Sequence, residues 1–345
     1  MWAALGDVEH YVEPFAGSLA VLLRRPHLAN RPYHSETVND LDGLLINAFR
    51  AIAYSPDATA EAASWPVSEV DLHARHVALV RWREEGHLDH LSGDPRWHDP
   101  VMAGWWIWGQ SSWIGGGWCS GRGPWWVDDR GCLVRRGGPI GAGVSRQRPH
   151  LGNDGQGVNR PAAREPGVDA GDDDDLREFH PMTMPEIRRW FAFLSARLRH
   201  VRLLHCDWTR AVTGGATRSL SVRAGGHVGI FLDPPYSDVR ASDLYAEDSY
   251  TVTHAVRSWC IERGDAPDTR IVLAGYDTEH TELAAHGWRA IEWFAPGYLR
   301  GGMANCGGGG THQQRRERLW LSPHCLSVEP VVEQQTSLWA EEPRT

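Results

Sequence analysis

Apolar positions along the chain fall into three regimes. Residues 8–52 alternate short apolar runs with turn formers. Tyr11-Val12-Glu13-Pro14-Phe15 is β-prone, and Ala16-Gly17-Ser18 opens a helical stretch through Leu23. Glu36-Thr37-Val38 reads as a brief strand ending at Asn39-Asp40. A helix follows with Leu41, Leu44, Leu45, Ala48, Phe49 and Ile52 on one face, and Asp40 stands where an N-cap would. Residues 53–182 are rich in Gly, Pro, Trp and Arg and show weak periodicity. Regular patterning returns after 182. Thr183 and Glu186 form a capping box with Pro185 in the first turn, and Ile187, Trp190, Phe191, Leu194 and Leu198 make one apolar face.

The remaining apolar runs read as strands. Val201 to Cys206 and Val228 to Leu232 are buried strands, and Ile271 to Gly275 is a third. Trp288 to Phe294 and Arg318 to Leu321 suit a closing antiparallel pair. Strands alternating with helices predict an α/β fold with a mostly parallel, doubly wound sheet. Ligands of such sheets bind beyond the carboxyl ends of the strands. Four strand ends therefore carry the interest: Phe15-Ala16-Gly17, Asn39-Asp40, Cys206-Asp207-Trp208 and Asp233 to Tyr236.

Composition narrows the class. With 345 residues and 41% hydrophobic content the chain can bury a substantial core. No apolar run approaches the ~18 residues of a membrane helix, and Met1 to Asp7 has no basic segment of a signal peptide. The six cysteines, at 119, 132, 206, 260, 306 and 325, show no C-x-x-C spacing, so no zinc ribbon or disulfide framework is expected, and a reducing cytoplasmic setting fits. Net charge is −9, yet Arg96 to Arg164 holds nine arginines against four acids, a local excess of five suited to a polyanion. The stretch from Ser145 to Asp175 is poor in apolar residues and ends in Asp172-Asp173-Asp174-Asp175, which predicts a flexible loop near 145–178; residues 326–345 read as a disordered tail. The chain contains no lysine, so arginine carries all its fixed positive charge.

The strongest chemical signal is Ile230-Phe231-Leu232-Asp233-Pro234-Pro235-Tyr236. An apolar strand delivers an acid, two prolines and an aromatic ring. The prolines stiffen the turn and remove two backbone donors, leaving the Asp233 carboxylate and the Pro234 carbonyl as acceptors. Two acceptors on the N–H bonds of an aromatic amine favour a pyramidal nitrogen with a directed lone pair, able to attack an electrophilic methyl in line. Tyr236 offers a face for a base swung out of a duplex. In Glu13-Pro14-Phe15-Ala16-Gly17-Ser18, Gly17 permits a tight turn and close approach of a cofactor. Asp40 lies 23 residues beyond Gly17, about the ~20-residue distance at which an acid meets ribose hydroxyls in a nucleotide-binding sheet. Asp207-Trp208 pairs an acceptor for an amino group with a ring that can stack on a base. Of the tryptophans between 105 and 126, most are expected in a core and a minority at DNA.

These strand ends, in this order, resemble the bacterial and phage DNA adenine methylase family. Tyr11 to Ser18, Asn39 to Asp42 and Asp233 to Tyr236 match its motifs, with weaker matches at Ser249-Tyr250, His254, Ala274 to Asp277 and Arg316 to Pro323. The resemblance implies a Rossmann-like S-adenosylmethionine methyltransferase sheet, mostly parallel with a C-terminal antiparallel strand, from residues 1–52 and 183–325. It implies an inserted target-recognition region at 53–182. It implies S-adenosylmethionine among Glu13, Phe15, Gly17, Asp40, Asp207, Trp208 and Asp233, with Asp233, Pro234 and Tyr236 engaging adenine of double-stranded DNA. The expected activity is N6-methylation of adenine by base flipping, by a monomer without a metal. Two departures stand out. Leu19 occupies a position where the family carries a second glycine, and the family's G-G-K segment ahead of the first motif has no counterpart, as in an N-terminally shortened member. Alternatives on the same residues are N4-methylation of cytosine, methylation of a protein glutamine amide, and a non-catalytic DNA-binding remnant.

Overall fold

The runs richest in consecutive apolar residues form the centre of a sheet. The computed structural model describes residues 1–26, 34–66, 68–113, 118–119, 125–127, 133–135, 184–217, 222, 225–235, 246–292 and 317–328. In chain order the strands are β1 His10–Glu13, β2 Ser35–Asn39, β3 Trp125–Val127, β4 Leu133–Arg135, β5 Val201–Leu204, β6 Val228–Leu232, β7 Thr269–Tyr276, β8 Arg289–Glu292 and β9 Glu317–Leu321. Seven of them make one sheet in the order β5-β2-β1-β6-β7-β9-β8, while β3 and β4 pair as a separate antiparallel ribbon. Neighbours from β5 through β7 are parallel, and β9 runs antiparallel to both β7 and β8. The protein is α/β with a mostly parallel, seven-stranded mixed sheet, an architecture compatible with a Rossmann-like fold.

The helices are α1 Trp2–Leu5, α2 Gly43–Tyr54, α3 Pro56–Ala63, α4 Glu69–Glu84, α5 His90–Gly93, α6 Pro100–Ser112, α7 Met184–Leu198, α8 Trp208–Ala211, α9 Gly214–Thr217 and α10 Ala246–Arg263. Strand alternation sorts the core into two layers. Tyr11, Val38, Phe231, Val272 and Leu319 face a layer containing α2, α3, α4, α6 and α7. Val12, Ile230, Leu232, Leu273 and Trp320 face the other, with Val256 and Cys260 of α10 and with Leu283. Every residue of β6 is buried, as its unbroken apolar run requires. The apolar face of α7 is buried as its spacing implies: Ile187, Trp190, Phe191, Leu194 and Leu198 are each 9% exposed or less.

Several local expectations need correction. The stretch after Gly17 does not form a helix through Leu23. Gly17 and Leu19 have φ of 48° and 60°, left-handed values that interrupt helical hydrogen bonding, and only a 3-10 turn at Leu22–Arg24 follows. The N-cap of α2 is Asp42, whose side chain accepts from Leu44 N, rather than Asp40. Strand β5 ends at Leu204 and is half-exposed rather than buried, because it is the edge of the sheet. Among the described residues of 53–182 the weak periodicity conceals four helices, α3 to α6. Of that tryptophan cluster Trp106, Trp108 and Trp118 are core, Trp105 and Trp113 pack partly buried against it, and the side chains of Trp125 and Trp126 lie outside the described ones. Leu326 N donates to Ala4 O at 2.9 Å and Val328 packs on the core, so the chain stays on the body through 328. The expectations for 145–178 and 329–345 lie outside the described residues. Among the described residues no helix is long and apolar enough to cross a membrane.

Burial leaves a titration signature. His10, His76 and His280 are drawn down from about 6.5 to about 4, each chiefly by burial. An unfolded chain takes up these protons below its ordinary value while the folded chain does not until about 4. Stability present above pH 6.5 is therefore lost as pH falls through that window. The carboxyl of Glu13, raised by burial, pulls the other way, as do those of Asp42 and Glu317 nearer their ordinary values. Three imidazoles outweigh Glu13 in the upper part of the window. The urea midpoint is expected to fall as pH drops from about 6.5 toward 5; a midpoint that rises would contradict this.

Candidate active site at the sheet's switch point

The sheet is built outward in both directions from β1 and β6, so a crevice opens between their carboxyl ends. Residues from four strand ends meet there. A cavity of about 420 Å³ is lined by Glu13, Phe15 and Gly17 after β1, Asn39, Asp40 and Leu41 after β2, Asp207 and Trp208 after β5, and Asp233 and Pro235 after β6, together with Val252 of α10. All seven residues expected around a cofactor (Glu13, Phe15, Gly17, Asp40, Asp207, Trp208 and Asp233) share this one cavity. Pro234 is buried and is not among the lining residues, and Tyr236 lies outside the described residues.

Backbone hydrogen bonds lock the loops to one another. Asp40 accepts from Gly17 N at 3.0 Å through Oδ2 and from Asp42 N at 2.9 Å through Oδ1, so it ties the glycine turn to the start of α2. Asn39, 1% exposed, joins three strand ends. Its Nδ2 donates to Pro14 O and Cys206 O, both at 3.0 Å, and its Oδ1 accepts from Cys206 N at 3.1 Å. Asp207 accepts from Thr209 N at 3.0 Å, capping α8, and also from the Thr209 hydroxyl. The rings of Phe15 and Trp208 stack at 6.0 Å with 29° between planes, and Trp208 meets Trp259 edge-on. The turn after Asp233 is pinned from the opposite layer: Thr253 of α10 donates its hydroxyl to Pro235 O at 3.0 Å.

Leu19 explains one departure of the sequence. Its φ of 60° is a conformation that suits glycine, yet its side chain is fully buried. Strain there costs about 1–3 kcal/mol. Emptying a buried leucine site costs about 2–5 kcal/mol. Burial outweighs strain, so Leu19→Gly is expected to lower stability in urea unfolding; a more stable variant would show that strain dominates.

Electrostatics define what the cavity accepts. Glu13, Asp40, Asp207 and Asp233 supply four carboxyl groups, and among the described residues no Arg or His lines the cavity. Burial pushes the Glu13 carboxyl well above the usual range, the charge of Asp233 adds to the shift, and the 3.1 Å hydrogen bond from Tyr11 only partly opposes it. Alternation places Glu13 and Asp233 on the same side of the sheet as Tyr11 and Phe231. A polyphosphate would meet repulsion here, whereas a ligand with a positive centre, hydroxyls and a flat ring finds carboxylates and stacked aromatics. Among the described residues no three His, Cys, Asp or Glu side chains converge to hold a metal ion.

A second cavity of about 300 Å³ shares the wall formed by Gly17, Ser18 and Asp40 and is closed by Trp106, Ile107 and Gln110 of α6. Helix α6 thus faces the glycine turn across this cavity. Sequence patterning marks Asn39 as a strand end but not its role of tying three strand ends together, and it misses Val252 and Thr253 because their helix shows no amphipathic stripe. It also assigned Leu41 to a helix face, whereas Leu41 precedes α2, is 71% exposed and lines the first cavity. No protein-family model matches this chain, and no curated protein matches it in sequence.

Proposed function

We propose that this chain is an S-adenosylmethionine-dependent DNA methyltransferase that methylates the N6 amino group of adenine. The observation that carries the reading is the convergence of Asp233, Asp40, Gly17, Phe15 and Asp207 on one carboxyl-lined cavity at the sheet's switch point. That lining fits the methyl donor, which has a sulfonium, an ammonium, ribose hydroxyls and a purine but no phosphate. Asp40 would take the ribose hydroxyls with the lone pairs left by its two backbone bonds. Phe15 and Trp208 would flank the purine, with Asp207 accepting from its amino group. Glu13, held beside Asp233, would face the positively charged end. When bound, S-adenosylmethionine supplies an electrophilic methyl group.

The residues of the chain do the rest by orientation. Asp233 and the Pro234 carbonyl would each accept one N–H of the amine, directing its lone pair, and Tyr236 would stack on the flipped base. Thr253 holds the turn in place through Pro235 O. Replacing it with valine removes that hydrogen bond, worth about 0.5–1.5 kcal/mol. Thr253→Val is accordingly expected to slow methyl transfer roughly tenfold while leaving donor affinity near wild type. Equal loss of both would argue that Thr253 only stabilises the fold.

The reading is tested by incubating the protein with tritiated S-adenosylmethionine and duplex DNA, then digesting the DNA to nucleosides. Label in N6-methyl-2′-deoxyadenosine is expected. Label in N4-methyl-2′-deoxycytidine would move the substrate to cytosine, and label on no nucleoside would refute the proposal.

A further inference from the structure

A cavity of about 540 Å³ follows β5, the outer strand of the sheet, and its charge is opposite to that of the candidate site. It lies among β5, α2, α5 and the end of α7. Its floor is apolar, with Val38, Phe49, Leu198 and Leu203. Its rim is basic. Arg199, just before β5, and His205 and Arg210, beyond its end, are exposed, and among the described residues no Asp or Glu lines the cavity. The basic groups differ in how far they are committed. Arg50 donates to the carbonyls of Leu91, Asp94 and Trp97 at 2.9, 3.1 and 2.9 Å, and so shapes the wall. The His205 ring pairs with Leu41 O at 3.2 Å. The side chains of Arg199 and Arg210 have no hydrogen-bond or ion-pair partner among the described residues.

Those two arginines stand at opposite ends of β5, whose four residues span about 13 Å at ~3.3 Å each. A lone phosphate does not meet both ends. A nucleic-acid strand, with a phosphate every ~3.4 Å of rise, does. The apolar floor narrows the ligand further. In a duplex the bases stack inward and leave such a floor uncovered, whereas an unpaired strand can lay a base on it. Tyr54, 66% exposed and part of the cavity wall, offers a ring for stacking. A second copy of the chain fits less well, because pairing two outer strands about a twofold axis sets one basic rim against another. Cys206 lines both this cavity and the candidate site, so the groove starts at the wall of the reaction centre.

We propose that this groove binds an unpaired stretch of DNA strand, with phosphates at Arg199 and Arg210 and a base on the apolar floor beside Tyr54. The inference goes beyond the catalytic reading, since a chain that bound DNA without modifying it would use the groove equally. Fluorescence anisotropy with a labelled oligothymidylate of about twelve nucleotides, between about 50 and 200 mM salt, tests it. In the double variant Arg199→Gln/Arg210→Gln binding should weaken and the slope of log K against log salt should fall by about 1.4, or ~0.7 for each single-strand phosphate contact. Tyr54→Ala should weaken binding about fivefold or more and leave the slope at its wild-type value. A double variant with the wild-type slope overturns the inference, as does a wild-type protein that does not bind the strand. Displacement of the strand by polyglutamate as readily as by unlabelled oligothymidylate would make the occupant an acidic polypeptide and also overturns it. All three side chains are exposed, so the variants should keep the wild-type urea midpoint. If a variant does not fold, ultraviolet crosslinking of a bromodeoxyuridine strand to wild-type protein decides: label is expected on the peptide containing Tyr54, and label only elsewhere overturns the proposal. The outcomes separate from those of the catalytic reading. The expected slopes with no methylated nucleoside remove the enzyme and leave the groove. Methylation with unchanged slopes removes the groove alone.

Discussion

Asp233→Ala is expected to reduce methyl transfer to DNA by about 10²–10³-fold, the range found when one preorganised partner of a developing charge is removed. The residue sits at the end of a fully buried strand, on a turn tied to α10, so the backbone that carries its carboxylate is held in place. Its loss removes one of two acceptors and leaves the amine's lone pair delocalised in the ring. The effect should fall on the rate. Six other lining residues, Glu13, Phe15, Gly17, Asp40, Asp207 and Trp208, remain to hold the donor, so its dissociation constant should change only a few-fold. Asp233→Asn, which keeps one carbonyl acceptor but substitutes a donor for the second oxygen, should be nearly as slow. Single-turnover rates and equilibrium titration on the same preparations check both halves. Full activity in Asp233→Ala would remove the residue from the chemistry.

Glu36→Ala is expected to cost about 3–5 kcal/mol of folding stability, read from urea unfolding. Glu36 lies on β2 between two arginines, all three largely buried. Its carboxylate takes Arg25 Nη1 at 3.1 Å and both Nη atoms of Arg197, at 2.6 and 2.8 Å. The side chains are 5% exposed for Glu36, 4% for Arg25 and 11% for Arg197. Deleting the carboxylate strands two buried cations, which is the expensive way to break such a cluster. The three residues also come from three places: the segment after the glycine turn, the second strand, and α7. Glu36→Ala should therefore weaken donor binding as well as stability, whereas a surface pair such as Arg263–Glu262, with side chains 61% and 69% exposed, should contribute little. A Glu36→Ala protein within about 1 kcal/mol of wild type would contradict the account.

How much of this was legible in the sequence depends on the kind of signal each part leaves. Strand β6 and the acid-proline turn were readable because an uninterrupted apolar run buried on both faces leaves only one place for a polar side chain, its end. The face of α7 was readable because one side of the helix meets solvent. Helices α4 and α6 were not, because neither carries one apolar stripe: α4 buries Arg75 and His76 beside Leu72 and Leu79, and α6 is apolar nearly all round. The glycine turn misled in the other direction. Ser18 to Leu23 has good helical composition, but the left-handed Leu19 is imposed by packing that no local pattern records. Asp40 stands in sequence where a helix cap would, but it clasps Gly17 and Asp42, and Asp42 caps the helix. Asn39 is legible as a strand-end residue, but its bonds to Pro14 and Cys206 are not, and Thr253 leaves no site signal because it acts through the Pro235 backbone.

The account hangs on one cavity receiving the methyl donor. Irradiating the protein with tritiated S-adenosylmethionine and mapping the labelled peptides tests that most directly. Label is predicted on the peptides that contain Phe15, Leu41 or Trp208 and should be lost when unlabelled donor competes. Absence of competable label, or label confined to peptides that do not line this cavity, would contradict it.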